Sequence, residues 1–234
     1  MGFKVEKYVQ KITQVLKEKF NPENAEKQKE YMKEKFDFFG IKTQARRKAT
    51  REFMKKAERP DYNDLSVVVK KLWELPEREY QYFAMELLER YKKEFDKSII
   101  SLFEYMISNK SWWDTVDFIS KKLVGELFKL FPDLRDQYIS RWIDSENIWL
   151  QRTCLLFQLG YKENTDLELL FELVECLKEE NEFFIQKAIG WALREYSKIE
   201  PGKIEKFIQE QNLSALSERE GLKWIKNNDK RLRG

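Results

Sequence analysis

The chain has 234 residues, of which 42% are hydrophobic and 36% are charged, with 44 basic and 41 acidic side chains. A chain of this length can bury a substantial core, but its net charge of +3 does not by itself indicate a nucleic-acid-binding protein. It contains no histidine and only two cysteines, Cys154 and Cys176, which excludes the common zinc and non-haem iron sites and the histidine-dependent catalytic triads.

Both cysteines fall in apolar helical patterns, so we expect buried thiols in a reducing, cytoplasmic compartment and no disulfide. No apolar run approaches the roughly 18 residues of a membrane span. The amino terminus has neither a signal-peptide core nor a myristoylation pattern. The sequence therefore predicts a cytoplasmic protein that uses no metal and no cofactor, and we expect it to be a monomer.

Helix-breaking residues divide the chain at short intervals. In chain order they are Asn21-Pro22, Gly40, Arg59-Pro60, Leu75-Pro76, Ser111, Phe131-Pro132, Ser145, Asn164-Thr165 and Pro201-Gly202. The segments between them have helical periodicity, and none alternates apolar and polar residues in the period of a strand. Because no connection is long enough to mark a domain boundary, the pattern predicts about a dozen helices in one all-α domain spanning residues 1–234.

A repeat of 35 residues runs through these helices, since the segment that begins at Trp149 aligns without gaps to the segment that begins at Phe184. Stepping along the chain by this period gives an apolar column and, two residues earlier and about 200° around the helix, a second column. The apolar column, which we expect to be buried, is Ala49, Ala84, Ile119, Cys154 and Ile189. The second column is Arg47, Tyr82, Asp117, Arg152 and Lys187.

Tandem helix pairs of this length are typical of HEAT-like solenoids, in which one helix of each pair lines a concave surface. The second column then predicts a ladder of side chains along that surface, although a plain solvated helix face would have the same polarity. Trp113 and Trp191 lie one turn from the ladder. Because large aromatic side chains are uncommon on a face that meets only water, their presence favours a binding surface.

Three segments resemble the AlkD-like DNA alkylation repair family, namely KSWWDTVD (Lys110–Asp117), NIWLQR (Asn147–Arg152) and EFFIQKAIGWALREY (Glu182–Tyr196). The resemblance extends to YMKEKFDFFGIKT and ELPERE in the first third of the chain and covers nearly all of it. It implies a right-handed α-α superhelix of HEAT-like repeats with a concave DNA-binding face. It also implies monofunctional hydrolysis of N3- and N7-alkylated purines, such as 3-methyladenine and 7-methylguanine, from duplex DNA.

The resemblance assigns the catalytic cleft to Trp113, Asp117 and Trp191, with Arg152 beside the DNA backbone. Alkylation makes the purine cationic, so the base can leave as a neutral molecule without being protonated. Asp117 is predicted to stabilise the oxocarbenium-like sugar and to orient water, while the two tryptophans present π faces to the lesion. The structural alternatives are a surface carboxylate paired with Lys121 and two core tryptophans.

Further side chains on the predicted surface are expected to contact DNA phosphates. These are Arg47, Arg51, Arg152 and Lys187, with Arg46 and Lys48 extending the basic track and Tyr31 as either a DNA contact or a packing residue. The remaining tryptophans are predicted to lie in the core; they are Trp73, Trp112, Trp142, Trp149 and Trp224.

Two other functions fit a helical solenoid. The first is a non-catalytic module that binds damaged, bent or branched DNA, because a fold does not fix a function. The second is a bifunctional lyase, which would need a lysine such as Lys187 to form a Schiff base. The joint presence of Trp113, Asp117, Arg152 and Trp191 favours the glycosylase, whose expected partner is duplex DNA that contains alkylated bases.

Overall fold

The computed structural model describes residues 4–232 of the chain, with side chains described through residue 228. Within this range the regular structure is helical, apart from one isolated bridge between Asp37 and Glu77. The predicted all-α fold is confirmed. The chain forms two compact units, unit 1 over Met1–Leu102 and unit 2 over Phe103–Gly234, and the single domain expected from the sequence stays a prediction.

Unit 1 contains the first helices of the chain. Its helices are α1 (Val5–Lys17), α2 (Pro22–Tyr31), α3 (Thr43–Ala49), α4 (Tyr62–Glu74) and α5 (Arg78–Glu89), and α6 (Ile100–Ser108) continues from it into unit 2. Helix α4 packs against both α1 and α5, because each turns an apolar stripe inward. The fully buried side chains of this interface include Ile12, Leu16, Leu65, Leu72 and Phe83.

A tight turn at Gly40 sets the start of α3. Gly40 has a φ of 76°, and a Cβ at this position would lie 2.2 Å from the backbone oxygen of Asn21, so only glycine fits. The buried carboxylate of Glu79 accepts hydrogen bonds of 3.0 Å from the backbone N–H groups of Phe39 and Ile41. This turn therefore fixes the position of α3, which carries several of the cations that we predict to contact DNA.

Unit 2 contains the remaining helices. These are α7 (Trp113–Ile119), α8 (Gly125–Leu130), α9 (Pro132–Ile143), α10 (Ile148–Leu156), α11 (Leu167–Leu177), α12 (Phe183–Tyr196), α13 (Pro201–Glu210), α14 (Ala215–Gly221) and α15 (Lys223–Leu232). A π-helical turn, Ser120–Val124, joins α7 to α8 without a break. Among the packed pairs, α12 contacts both α10 and α14, and these contacts build the site described below.

The predicted helix boundaries are confirmed at the proline breaks. Pro22, Pro132 and Pro201 are each the first residue of a helix, where the missing N–H costs no hydrogen bond. The side chains of Asn21 and Asn147 accept hydrogen bonds from backbone N–H groups in the first turns of α2 and α10, as N-cap residues do.

The apolar column of the 35-residue repeat is buried as predicted. Ala84, Ile119, Cys154 and Ile189 are each at most 1% exposed. Ala49 is half-buried, because it is the last residue of the short helix α3. Burial of the column at successive repeats confirms that the period describes the packing of the helices.

The predicted burial is wrong for one cysteine and is only partial for three of the tryptophans. Cys154 is buried, but Cys176 is exposed, because it lies on the outer side of α11, away from the buried positions of that helix. The predicted core positions of Trp73 and Trp142 are confirmed at 1% and 0% exposure, whereas Trp112, Trp149 and Trp224 are half-buried. No helix in the described range is both long and apolar enough to cross a membrane.

Candidate active site

A cleft of about 330 Å³ in unit 2 brings five of the predicted site residues together. Trp113 and Asp117 reach it from α7, Arg152 from α10, and Lys187 and Trp191 from α12. The cleft thus contains all the residues to which the sequence assigned catalysis, together with two of the predicted DNA contacts.

Asp117 and Arg152 form a bidentate ion pair across the cleft. Arg152 Nε donates to Asp117 Oδ1 at 2.7 Å and Nη2 donates to Oδ2 at 3.0 Å, while Nη1 donates to the backbone oxygen of Phe184. The Arg152 side chain is 5% exposed and that of Asp117 is 16% exposed. Burial raises the pKa of Asp117, and the adjacent guanidinium partly offsets that rise.

The alternative in which Asp117 pairs with Lys121 at the surface is wrong, because the carboxylate pairs with Arg152. The predicted phosphate contact of Arg152 remains a prediction. The structure adds another role for this residue, since its guanidinium holds both oxygens of Asp117 in one orientation.

The backbone around the ion pair is fixed by polar contacts between α7 and α10. Ser120 Oγ donates to Thr153 Oγ1 at 2.9 Å, and Thr153 Oγ1 donates to the backbone oxygen of Trp149 at 2.9 Å. Ser120 opens the π-helical turn, a deviation often found near functional sites. A Cβ at Gly125 would lie 2.4 Å from the backbone oxygen of Phe157, so glycine lets the end of this turn approach α10.

One face of α12 forms the opposite wall of the cleft. Phe184, Lys187, Trp191 and Arg194 follow the helical spacing of three, four and three residues and therefore share this face. Phe183, at the start of the helix, is 55% exposed at the edge of the cleft. Phe183, Phe184 and Arg194 were not predicted as site residues. Continuing the helical spacing from Lys187 and Trp191 identifies Phe184 and Arg194.

Glu220, on α14, is a further cleft residue that was not predicted from the sequence. Its carboxylate accepts from Arg194 Nη1 at 2.7 Å and lies 3.2 Å from Lys187 Nζ, and its side chain is only 13% exposed. Burial raises the pKa of Glu220, but hydrogen bonding and attraction by Lys187 outweigh burial and hold that pKa below its usual value. No pattern in the sequence links Glu220 to α12.

A close contact between α12 and α14 brings Glu220 into the cleft. A Cβ at Gly190 would lie 2.6 Å from the Cβ of Glu220 and 2.9 Å from the backbone oxygen of Ser217. Ser217 Oγ also donates to the backbone oxygen of Gln186 at 3.0 Å. Glycine at position 190 therefore allows the two helices to touch where Glu220 projects.

An aromatic cluster supports the wall of the cleft behind the ion pair. The ring centroids of Trp112, Trp149 and Phe184 lie between 4.9 and 5.7 Å from one another. These separations are favourable for aromatic pairs. Because Phe184 also supplies the backbone oxygen that Arg152 contacts, the cluster helps to position the guanidinium.

The other predicted DNA contacts lie in unit 1. Arg47 is 61% exposed and its Nε donates to Glu86 Oε1 at 2.8 Å. Arg47 and Arg51 line a basic cleft of about 600 Å³, and Tyr31 is 68% exposed. Their placement on one concave surface with the residues of unit 2 stays a prediction.

Arg46 departs from the predicted basic track. It is 4% exposed, its Nη2 donates to Glu86 Oε1 at 3.0 Å, and its guanidinium lies 5.0 Å from the ring centre of Tyr82. The inclusion of Arg46 in the track is therefore wrong, because it faces the interior of unit 1. Lys48, on the same helix, is exposed.

The chemistry available in the cleft of unit 2 is electrostatic. It offers two largely buried carboxylates, two tryptophan rings and three paired cations. Among the side chains described for residues 4–228, no three histidine, cysteine or acidic groups are placed so that they could hold a metal ion. A reaction suited to the cleft is one in which positive charge develops on the substrate.

Comparison with known proteins is consistent with this chemistry. Residues 12–225 match the model of a family described as DNA alkylation repair enzyme. A solved structure described as a predicted DNA alkylation repair enzyme from Enterococcus faecalis is similar, with 34% sequence identity and a TM-score of 0.82. The similarity covers 88% of this chain and 97% of that one. A search among curated proteins found no match.

Proposed function

Because this chain belongs to the family of DNA alkylation repair enzymes, we propose that it is a monofunctional DNA glycosylase. It hydrolyses the N-glycosidic bond of N3- and N7-alkylated purines in duplex DNA. The observation that carries the proposal is the buried carboxylate of Asp117, held by Arg152 in one cleft with Trp113 and Trp191.

The reaction requires negative charge rather than an acid. An N3- or N7-alkylated purine is already cationic, so it takes the electrons of the glycosidic bond and leaves as a neutral base. Positive charge then develops on the deoxyribose, and the carboxylate of Asp117 stabilises it. A water molecule attacks C1′ and releases a proton to the solvent, which leaves an abasic site. One preorganised electrostatic partner of this kind contributes about 10²–10³ in rate.

Arg152 is a positioning residue in this mechanism. Arg152 donates to both oxygens of Asp117, at 2.7 and 3.0 Å, so the guanidinium orients the carboxylate and favours its ionised form. The carboxylate keeps further lone pairs with which it can accept a hydrogen bond from water. Because the pair is largely buried, its charges act through a lower dielectric constant than they would in water.

Trp113 and Trp191 provide selectivity for the charged lesion. An indole ring attracts a cation over its face by about 0.5–2 kcal/mol, and an undamaged, uncharged purine does not gain this energy. Two such rings line the same cleft as Asp117. They therefore favour an alkylated purine and the sugar cation that forms from it.

Monofunctional chemistry follows from the state of the lysine in the cleft. A lyase needs a neutral amine that can form a Schiff base. Lys187 Nζ lies 3.2 Å from the carboxylate of Glu220, so its nitrogen is engaged in an ion pair. We therefore expect base release without cleavage of the strand.

The test is an assay for release of the free base. The protein is incubated in excess with duplex DNA that contains 7-methylguanine or 3-methyladenine, and free base and strand cleavage are measured separately. The proposal expects free base and an intact strand that carries an abasic site. Binding without release of either base would support the non-catalytic DNA-binding module instead, and strand cleavage would support a lyase.

A further inference from the structure

The cleft of unit 2 contains three cations and two carboxylates. One carboxylate pairs with a single cation and the other pairs with two. Asp117 pairs with Arg152 alone. Glu220 pairs with both Lys187 and Arg194. The cleft therefore carries one net positive charge, and Glu220 is the residue that offsets the pair of cations on α12.

The position of Glu220 makes this offset effective. Its side chain is 13% exposed, whereas those of Lys187 and Arg194 are 37% and 27% exposed. The carboxylate thus lies beneath two cations that can still reach solvent or DNA. Salt screens a partly buried charge less than an exposed one. The negative charge of Glu220 is therefore also felt by a substrate in the cleft.

The charge balance matters because the proposed substrate is a cation. Lys187 and Arg194 without a carboxylate would repel an alkylated purine and the oxocarbenium ion that forms from it. The same two cations would attract the phosphates of any duplex, damaged or not. The carboxylate opposes both effects, since it lowers the repulsion of the lesion and weakens the attraction of undamaged backbone.

We propose that Glu220 is a specificity-determining residue, which holds Lys187 and Arg194 and limits their positive charge so that the cleft favours cationic lesions over undamaged duplex. This inference rests on the proposed glycosylase function. It assigns Glu220 no contact with the reacting atoms, because its partners in the cleft are the two cations of α12.

Unit 1 contains a parallel arrangement. Glu86, whose side chain is 13% exposed, accepts from both Arg46 and Arg47 through Oε1. Arg47 and Lys187 occupy the same column of the 35-residue repeat. In each unit, therefore, a largely buried carboxylate on another helix pairs with two cations. One of these cations belongs to the second column of the 35-residue repeat.

The experiment compares Glu220→Gln with wild type, because glutamine keeps the size of the side chain and removes its charge. We expect the variant to bind undamaged duplex about two- to fivefold more tightly at moderate salt. The dependence of log affinity on log salt should steepen by about 0.9, the contribution of one additional phosphate contact. Single-turnover release of 7-methylguanine should slow on the order of tenfold, because one negative charge is removed from a cleft whose effective dielectric constant is near 20.

Two further variants control the result. Glu195→Gln, on the same helix α12, frees Lys198 just beyond the end of that helix, but these two residues line a different cavity, and we expect wild-type behaviour. Glu220→Gln combined with Lys187→Met should lose the gain in affinity for undamaged duplex. A purely structural role of Glu220 would instead weaken binding, and thermal unfolding shows directly whether each variant is folded.

The outcomes separate this inference from the proposed function. If wild type releases neither alkylated base, the glycosylase proposal fails on the wild-type protein alone. If wild type releases base but Glu220→Gln leaves the affinity and salt dependence for undamaged duplex unchanged or reduced, the role assigned to Glu220 is wrong. An equal gain in Glu195→Gln would also overturn it, because the effect would then be one of net charge.

Discussion

Asp117 and Arg152 lie one 35-residue repeat apart and form a buried bidentate ion pair, with N–O distances of 2.7 and 3.0 Å. Helices α7 and α10 pack against each other, and this packing of successive repeats places the two side chains within reach. The carboxylate that we assign to catalysis is thus positioned by the next repeat, and most of the predictions below depend on this pair.

Asp117→Asn keeps the shape of the side chain but removes the negative charge. We expect single-turnover release of 7-methylguanine to fall by about 10²–10³, because the developing sugar cation loses its electrostatic partner. Binding of duplex should persist. Asp114→Asn removes the same charge from the same helix outside the cleft and serves as the control. A rate for Asp117→Asn within about threefold of wild type would remove Asp117 from the mechanism.

Arg152→Lys keeps a positive charge but cannot reproduce the two parallel contacts to Asp117. We expect base release to slow by at least about tenfold, because the carboxylate is no longer held in one orientation. The salt dependence of duplex binding should stay unchanged, since the guanidinium is buried against the protein. Arg152→Ala, which also removes the positive charge, tests the phosphate contact: if the salt dependence weakened by about 0.9 in that variant, Arg152 would be a phosphate contact, as the sequence alone suggested.

Trp191→Leu removes the π face from the cleft while keeping an apolar side chain. A cation–π contribution of about 0.5–2 kcal/mol corresponds to a loss of roughly two- to thirtyfold in the rate of release of a cationic base. Trp191→Phe retains an aromatic ring and should keep most of the activity. Equal losses in the two variants would indicate that packing, rather than the attraction of a cation, explains the role of Trp191.

The rate of release should fall as the pH is lowered, with a midpoint above the ordinary pKa of an aspartic acid. Burial raises the pKa of Asp117, and the mechanism uses the ionised form, so protonation removes activity. The measurement is single-turnover release across acidic pH, corrected for enzyme-free depurination. The residual activity of Asp117→Asn should lack this acidic limb, and an identical limb in that variant would assign the titration to another group.

Gly190→Ala tests the contact between α12 and α14. The added Cβ would lie 2.6 Å from the Cβ of Glu220 and 2.9 Å from the backbone oxygen of Ser217, so we expect the free energy of unfolding to fall by about 1–3 kcal/mol. Gly202→Ala is the matched control, because nothing lies within 4 Å of its added Cβ. This control should be neutral or stabilising by up to about 1 kcal/mol. Denaturant unfolding of both variants measures the difference, and equal effects would contradict the close contact.

The helices and their repeat could be predicted from local sequence patterns. Hydrophobic periodicity and helix-terminating residues are local properties, so the all-α fold, the helix starts at Pro22, Pro132 and Pro201, and most of the buried column could be predicted. The 35-residue offset also selected Asp117, Arg152 and Lys187, which the structure brings to one cleft.

The ion pairs between helices could be identified only from the tertiary structure. That Arg152 is buried against Asp117 depends on the packing of α7 on α10. That Glu220 reaches the cleft depends on the close approach of α12 and α14 at Gly190. Periodicity shows which side of a helix faces inward, but it contains no information about the distance or the angle to the next helix. Ion pairs between helices depend on both.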